Sequence, residues 1–303
     1  MAAAIIDGRR IAEEIRGELK ESVRALKAQG VTPGLAVVLV GDDPASRSYV
    51  AGKEKACAEV GIHSFDNRLP ASATQEELMG LVRKLNGDDR VHGILVQLPL
   101  PRGLNEAEVL LAIDPDKDVD GFHPINAGRM MLGQKAFLPC TPHGVLQLLR
   151  RSGVRLSGLH VVVIGRSNIV GKPLANMLIQ KSELANATVT VCHTGTRDLA
   201  GFTRQADVVV AAAGRPNTLT ADMIREGAVV IDVGVNRVED ATKKSGFRLV
   251  GDVDFQRVSE KASMITPVPG GVGPMTIAML LYNTVEAAKT RCRAMRGGEG
   301  VAP

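Results

Sequence analysis

Tryptophan is absent from this 303-residue chain and tyrosine occurs only at Tyr49 and Tyr282. Side chains able to stack on a flat ligand are therefore scarce, and each tyrosine is a candidate contact. The four cysteines, Cys57, Cys140, Cys192 and Cys292, form no C-x-x-C pair and no zinc-ligand spacing. They read as buried thiols of a reducing compartment. No apolar run approaches the ~20 residues needed to cross a bilayer, and Asp7, Arg9 and Arg10 interrupt the N-terminus too early for a signal-peptide core. These absences predict a cytoplasmic protein with no membrane partner.

Charge of one sign is also in short supply. The net charge is +4, from 37 basic and 33 acidic residues that are interspersed, and no block of five basic residues occurs. A nucleic-acid stripe is not indicated, whereas small anionic ligands suit the slight excess. The six histidines show no H-E-x-x-H spacing and no G-x-S-x-G elbow is present, so neither a metal site nor a serine hydrolase is supported.

What is present is alternation. Ile11, Ile15, Leu19 and Val23 share one helical stripe behind an Asp7 N-cap, with Gly30 as the stop. Leu35 to Val40 reads as a strand buried on both faces. A helix over 45–60, a strand over 62–69, a helix opened by a Thr74/Glu77 capping box, a strand over 91–98 and a helix from Asn105 follow. Periodicity fails over 115–139, a long loop of the kind that is functional or a linker. Thr141 and Pro142 open the next helix, which Gly153 ends. A second alternating set begins at His160 and ends in a helix over 275–289, followed by a tail from Arg296 without order. The pattern predicts an α/β fold in two units with parallel sheets.

Gly165-Arg-Ser-Asn-Ile-Val-Gly171-Lys-Pro sits between a buried strand and a helix, where backbone N–H groups meet a pyrophosphate. The spacing is not G-x-G-x-x-G and also describes a tight turn without a ligand. The next strand ends Cys192-His-Thr-Gly-Thr196, with no carboxylate for a ribose 2′-hydroxyl, and Arg166 and Ser167 lie in the first turn. That combination favours NADP over NAD; an ordinary surface arginine is the alternative.

Tyr49 and Lys53 fall on one helical face, one turn apart. A ring there can stack on a flat ligand while the amine reaches its reacting atom, but a solvated pair has the same spacing. Gln97 ends an apolar strand, where α/β ligands bind; a glutamine bonded to loop backbone also fits. Asp118 and Asp120 occupy the irregular loop as ligand contacts or turn formers, in a pattern that is not an EF-loop.

Five segments in order carry a resemblance. They are Tyr49-Val-Ala-Gly-Lys53, Gly93-Ile-Leu-Val-Gln-Leu-Pro-Leu-Pro101, Lys117-Asp-Val-Asp-Gly-Phe122, Gly165 to Pro173, and Thr266-Pro-Val-Pro-Gly-Gly-Val-Gly-Pro-Met-Thr276. Together they resemble the bifunctional methylenetetrahydrofolate dehydrogenase/methenyltetrahydrofolate cyclohydrolase family over about Ile6 to Ala288. The resemblance implies two α/β domains around a cleft. Residues 1–140 plus 276–303 would form the catalytic, folate-binding domain, and 141–275 a Rossmann-like NADP-binding domain. It also implies a homodimer. A dehydrogenase of a small carboxylic or shikimate-like acid would explain the nucleotide motif. It gives no joint role to Tyr49, Gln97 and the Pro-Gly-Gly loop.

By the same resemblance Lys53 is the catalytic lysine, Tyr49 the folate-stacking ring, Gln97 the lysine's neighbour and Asp120 the carboxylate on the pterin. Leu98, Pro269, Gly270 and Gly273 border the folate. Gly165, Arg166, Ser167, Gly171, Thr194, Val235 and Thr276 are implied cofactor contacts. Val235 stands where Ile is frequent and Thr194 where some relatives carry Ser. The implied chemistry is hydride transfer from 5,10-methylenetetrahydrofolate to NADP, followed by hydrolysis of the methenyl cation to 10-formyltetrahydrofolate. Lysines near a cation and out of water release their proton more readily, which suits Lys53 to activating water.

Overall fold

The structure, a computed structural model, describes residues 2–243 and 246–297. The chain divides into two compact units, one of residues 1–12 and 141–276, the other of 13–140 and 277–303.

In the second unit, β2 (Gly34–Val40) lies between β3 (His63–Leu69) and β4 (Gly93–Val96), all parallel. Every residue of β2 and β4 is buried, as the continuous apolar runs require of strands covered on both faces. The helices α1 (Gly8–Lys27), α2 (Pro44–Val60), α3 (Gln75–Gly87) and α4 (Glu106–Ala112) punctuate these strands. Their starts follow local chemistry. Asp7 Oδ1 accepts from the Arg9 and Arg10 amides, Asp43 caps α2 ahead of Pro44, and both halves of the Thr74/Glu77 capping box form. One face of the sheet packs Ala36, Val38, Val40, Ile94 and Val96 against Leu78, Val82 and Leu85 of α3.

Residues 115–139 are not a structureless loop. Asp118 forms a parallel bridge with Ile94, the Ile94 amide donates to the Lys117 carbonyl at 2.8 Å, and α5 (Pro124–Met131) follows. The His123 side chain caps α5 and Pro124 opens it, a start signal that the missing periodicity concealed. Gly93 permits this arrangement, since a Cβ there would lie 2.6 Å from Val119 Cγ1.

The first unit holds a six-stranded parallel sheet. Its strands are β1 (Ala4–Ile5), β5 (His160–Ile164), β6 (Thr188–Cys192), β7 (Val208–Ala211), β8 (Val229–Asp232) and β11 (Met264–Ile265). Their order is β1-β11-β8-β7-β5-β6. From β5 the chain passes to β6 on one side and then returns to β7 on the other, so the order reverses at β5. α6 (Cys140–Arg151) precedes the sheet, α7 (Gly171–Ile179) joins β5 to β6, and α8 (Leu199–Thr203) joins β6 to β7. An antiparallel hairpin, β9 (Asn236–Glu239) and β10 (Phe247–Val250), and the short α9 (Phe255–Ser259) lie between β8 and β11.

Four expectations change. Residues 1–12 group with the nucleotide-type unit rather than with 13–140, because Ala4 and Ile5 pair with Met264 and Ile265. The boundary before the last helix falls after Thr276. That helix, α10 (Val272–Gly297), includes Arg296, so only 298–303 of the expected tail remain, and these lie outside the described residues. α6 begins at Cys140, placing Thr141 within its first turn rather than at the cap. Among the described residues no helix is long and apolar enough to cross a membrane.

The N-terminal pairing predicts a local effect. Ile6 is 3% exposed and its amide donates to the Ile265 carbonyl. Ile6→Ala is expected to cost about 3 kcal/mol in the six-stranded unit. Amide hydrogen exchange should quicken at Ile265 and Thr266 and stay unchanged along β2; equal acceleration in both sheets would contradict the assignment.

Candidate active site and nucleotide site

The carboxyl end of the three-stranded sheet gathers the first set of expected residues. Lys53 lies in the third turn of α2, half-buried, and its Nζ donates to Gln97 Oε1 at 2.9 Å. Gln97 follows β4 directly, and its Nε2 donates to the Leu98 carbonyl at 2.7 Å. That second bond commits the amide's donor end, so its oxygen faces the lysine. Tyr49 stands one helical turn before Lys53 with 52% of its surface exposed, a ring with room for a flat partner.

The two loop aspartates divide sharply. Asp118 is buried and its carboxylate is fully engaged, accepting from the Phe122 and His123 amides and from Asn126 Nδ2 at 3.2, 2.8 and 2.9 Å. It is the turn former. Asp120 takes no such backbone role. Burial pushes its carboxyl up to about 6; the Lys53 charge opposes that rise and Asp118 adds to it. Asp120 therefore lies within electrostatic reach of Lys53.

Sequence reasoning missed two supports of this loop. Cys140 donates from Sγ to the Val119 carbonyl, and buried Asn283 of α10 donates from Nδ2 to the carbonyls of Val119 and Leu138 at 2.8 and 2.9 Å. No local pattern signals either one, since their partners lie 21 to 164 residues away. Lys117, adjacent in the motif, is structural: its Nζ donates to the carbonyls of Leu85, Asn86 and Asp88 at the end of α3.

In the six-stranded unit, Gly165 ends β5 at the point where strand order reverses, the usual nucleotide position. Its φ is +127°, and a Cβ on it would meet the Ala212 carbonyl oxygen. A Cβ on Gly171, the first residue of α7, would meet the Gly165 carbonyl. The turn is thus a cradle of bare backbone beside a helix start. Ser167 Oγ accepts from the Val170 and Gly171 amides at 3.1 and 3.4 Å, so the expected phosphate contact also braces the turn that leads into α7. Arg166 is exposed and forms no ion pair with a described residue. Thr194 is exposed in the loop after β6, where His193 and Thr196 bond within the turn and no carboxylate stands. These features fit a dinucleotide carrying a 2′-phosphate.

Val235 lies exposed after β8. Pro269 and Gly270 sit in the loop after β11, while Gly273 and Thr276 are in the first turns of α10. Thr276 Oγ1 pairs with Thr141 Oγ1 at 2.9 Å, which ties α10 to α6.

Comparison with known proteins identifies the family of both units. Residues 6–120 match the model of the tetrahydrofolate dehydrogenase/cyclohydrolase catalytic domain, and 139–292 that family's NAD(P)-binding domain. The bifunctional protein FolD of Syntrophus aciditrophicus is 59% identical over 289 residues, covering 95% of this chain and 98% of that one. The crystal structure of FolD from Campylobacter jejuni matches with a TM-score of 0.90 at 53% identity, over 96% of this chain and 100% of that one. The Trypanosoma brucei enzyme, solved with NADP cofactor and an inhibitor, matches with a TM-score of 0.90 at 44% identity, over 97% and 99%. Two domain matches spanning most of the chain, on the segments that hold Lys53, Gln97 and the Gly165 cradle, make this chain a member of the tetrahydrofolate dehydrogenase/cyclohydrolase family.

Proposed function

We propose that the chain oxidises 5,10-methylenetetrahydrofolate with NADP and hydrolyses the resulting methenyl cation to 10-formyltetrahydrofolate, with Lys53 as the proton-transfer group. The observation that carries the reading is the 2.9 Å Lys53–Gln97 hydrogen bond beside Asp120. Bound NADP supplies the hydride acceptor. Arg166 and Thr194 hold its 2′-phosphate end, with Ser167 contributing from the turn that leads into α7. Gly165 and Gly171 let the backbone approach the pyrophosphate, and Val235 and Thr276 flank the rest.

Tyr49 stacks on the pterin, Asp120 accepts from its amino group and ring N–H, and Leu98, Pro269, Gly270 and Gly273 border the folate. The nitrogen lone pairs stabilise the cation, so hydride transfer asks mainly for alignment. Hydrolysis asks for more: Lys53 takes a proton from the attacking water and returns it to N5 as the C–N5 bond breaks, and the remaining hydroxyl proton is lost to solvent as the formyl C=O forms. Gln97 orients the amine without adding charge, whereas a carboxylate there would hold it as ammonium. The active form is a homodimer in the cytoplasm, a reading that rests on the family resemblance.

Lys53→Met is expected to lower methenyl hydrolysis by about 100-fold or more and hydride transfer far less, in assays of both steps on the purified variant. Unchanged hydrolysis would remove Lys53 from the mechanism. Arg166→Ala is expected to weaken NADP by about tenfold or more and NAD little, measured by calorimetric titration; equal losses would refute the 2′-phosphate contact.

Asp120 also predicts a pH signature. Its carboxyl titrates at about 6 when folded against an ordinary 3.8. The folded state therefore binds the extra proton, and stability falls as pH rises through that window. Asp120→Asn should melt above the wild type at pH 8, converge with it below about pH 4, and lose folate binding. A melting difference that does not change with pH would contradict the buried-carboxylate account.

A further inference from the structure

Two fully buried carboxylates in the six-stranded unit have no part in the chemistry above. Asp252, 0% exposed, follows β10. Its Oδ2 accepts from the Ala213 and Gly214 amides at 2.6 and 2.8 Å, and its Oδ1 from Asn236 Nδ2 at 2.9 Å. Asp232, 2% exposed, ends β8 and accepts from the amides of Gly234, Asp252 and Val253 at 3.0, 2.9 and 3.1 Å. Its own amide donates to Thr266 Oγ1 at 2.7 Å, reaching the segment that leads into the Pro-Gly-Gly loop. A Cβ on Gly234 would meet the Asp252 carboxylate, so the backbone after β8 is wrapped directly onto it.

The loops so tied are those after β7 and β8, on the far side of β5 from β6. In a doubly wound sheet, one mononucleotide half binds at each side of the reversal. The β5–α7–β6 half carries Arg166 and Thr194 and takes the adenosine end. The β7 and β8 loops, with Val235, therefore border the nicotinamide end. We infer that Asp252 is a positioning residue for the nicotinamide half of NADP, holding the loops after β7 and β8 in one register for hydride transfer. The inference rests on the NADP reading of this unit. Burying a carboxylate is costly unless every acceptor site is filled. Two amides of the loop after β7 and the side chain of Asn236, at the start of β9 where the loop after β8 ends, satisfy Asp252, and in return it fixes the spacing of those segments.

The test is Asp252→Asn, which keeps the size and turns one acceptor into a donor facing either the two amides or Asn236. NADP binding by calorimetry is expected to weaken about tenfold, as for loss of a charge-assisted hydrogen bond, while 2′,5′-ADP, which lacks the nicotinamide half, binds as to the wild type. Hydride transfer should fall at least as far as NADP binding, with methenyl hydrolysis retained. Asn236→Ala removes one donor and leaves the carboxylate. It should show a smaller loss in the same direction, and covers the case in which Asp252→Asn does not fold. Equal loss of NADP and 2′,5′-ADP in either variant, or unchanged NADP binding in both, would overturn the positioning role. Failure of 2′,5′-ADP to bind the wild type would instead overturn the NADP reading beneath it.

Discussion

The catalytic unit turns on one contact, the hydrogen bond from Lys53 Nζ to the uncharged Gln97 amide oxygen. It joins α2 to the end of β4 across 44 residues of sequence. An amide orients the lysine but does not neutralise it. The bond from Gln97 Nε2 to the Leu98 carbonyl leaves the oxygen no other direction to face.

Around that contact the unit separates structural charge from chemical charge. Asp118 and Lys117 are saturated by backbone groups and shape the turn into α5 and the end of α3. Asp120, two residues on, is pushed upward by burial against the pull of the Lys53 charge. A carboxyl that is partly withdrawn from water without full pairing costs stability, a common tension between folding and function. Cys140 and Asn283 hold the Val119 carbonyl just before Asp120, and Asn283 also holds that of Leu138 at the far end of the segment.

The nucleotide unit solves a related problem with the opposite distribution of charge. Its ligand edge lacks a carboxylate where a 2′-phosphate would be repelled, after β6. Its acidic groups, Asp232 and Asp252, are instead sealed beneath the loops after β7 and β8. Backbone amides face them there, so negative charge serves architecture without reaching the ligand's phosphates. Burial pushes Asp232 up to about 6 even though the amides of Asp252, Val253 and Gly234 pull it down.

Much of this was legible in the residues themselves. The stripe from Ile11 to Val23, the Thr74/Glu77 box, the apolar strands and the Tyr49/Lys53 spacing are set by neighbours within a few positions, which is the range over which helix period and capping act. The bare β6 end and the Gly165 turn were readable for the same reason. Other features were decided only in three dimensions. A two-residue strand such as Ala4–Ile5 carries no period, and its place beside Met264–Ile265 fixes which unit the N-terminus joins. The same holds for the different fates of Asp118 and Asp120 and for the capture of two loops by Asp252. A carboxylate's role depends on which donors the rest of the chain brings to it, and those donors come from segments far away in the sequence.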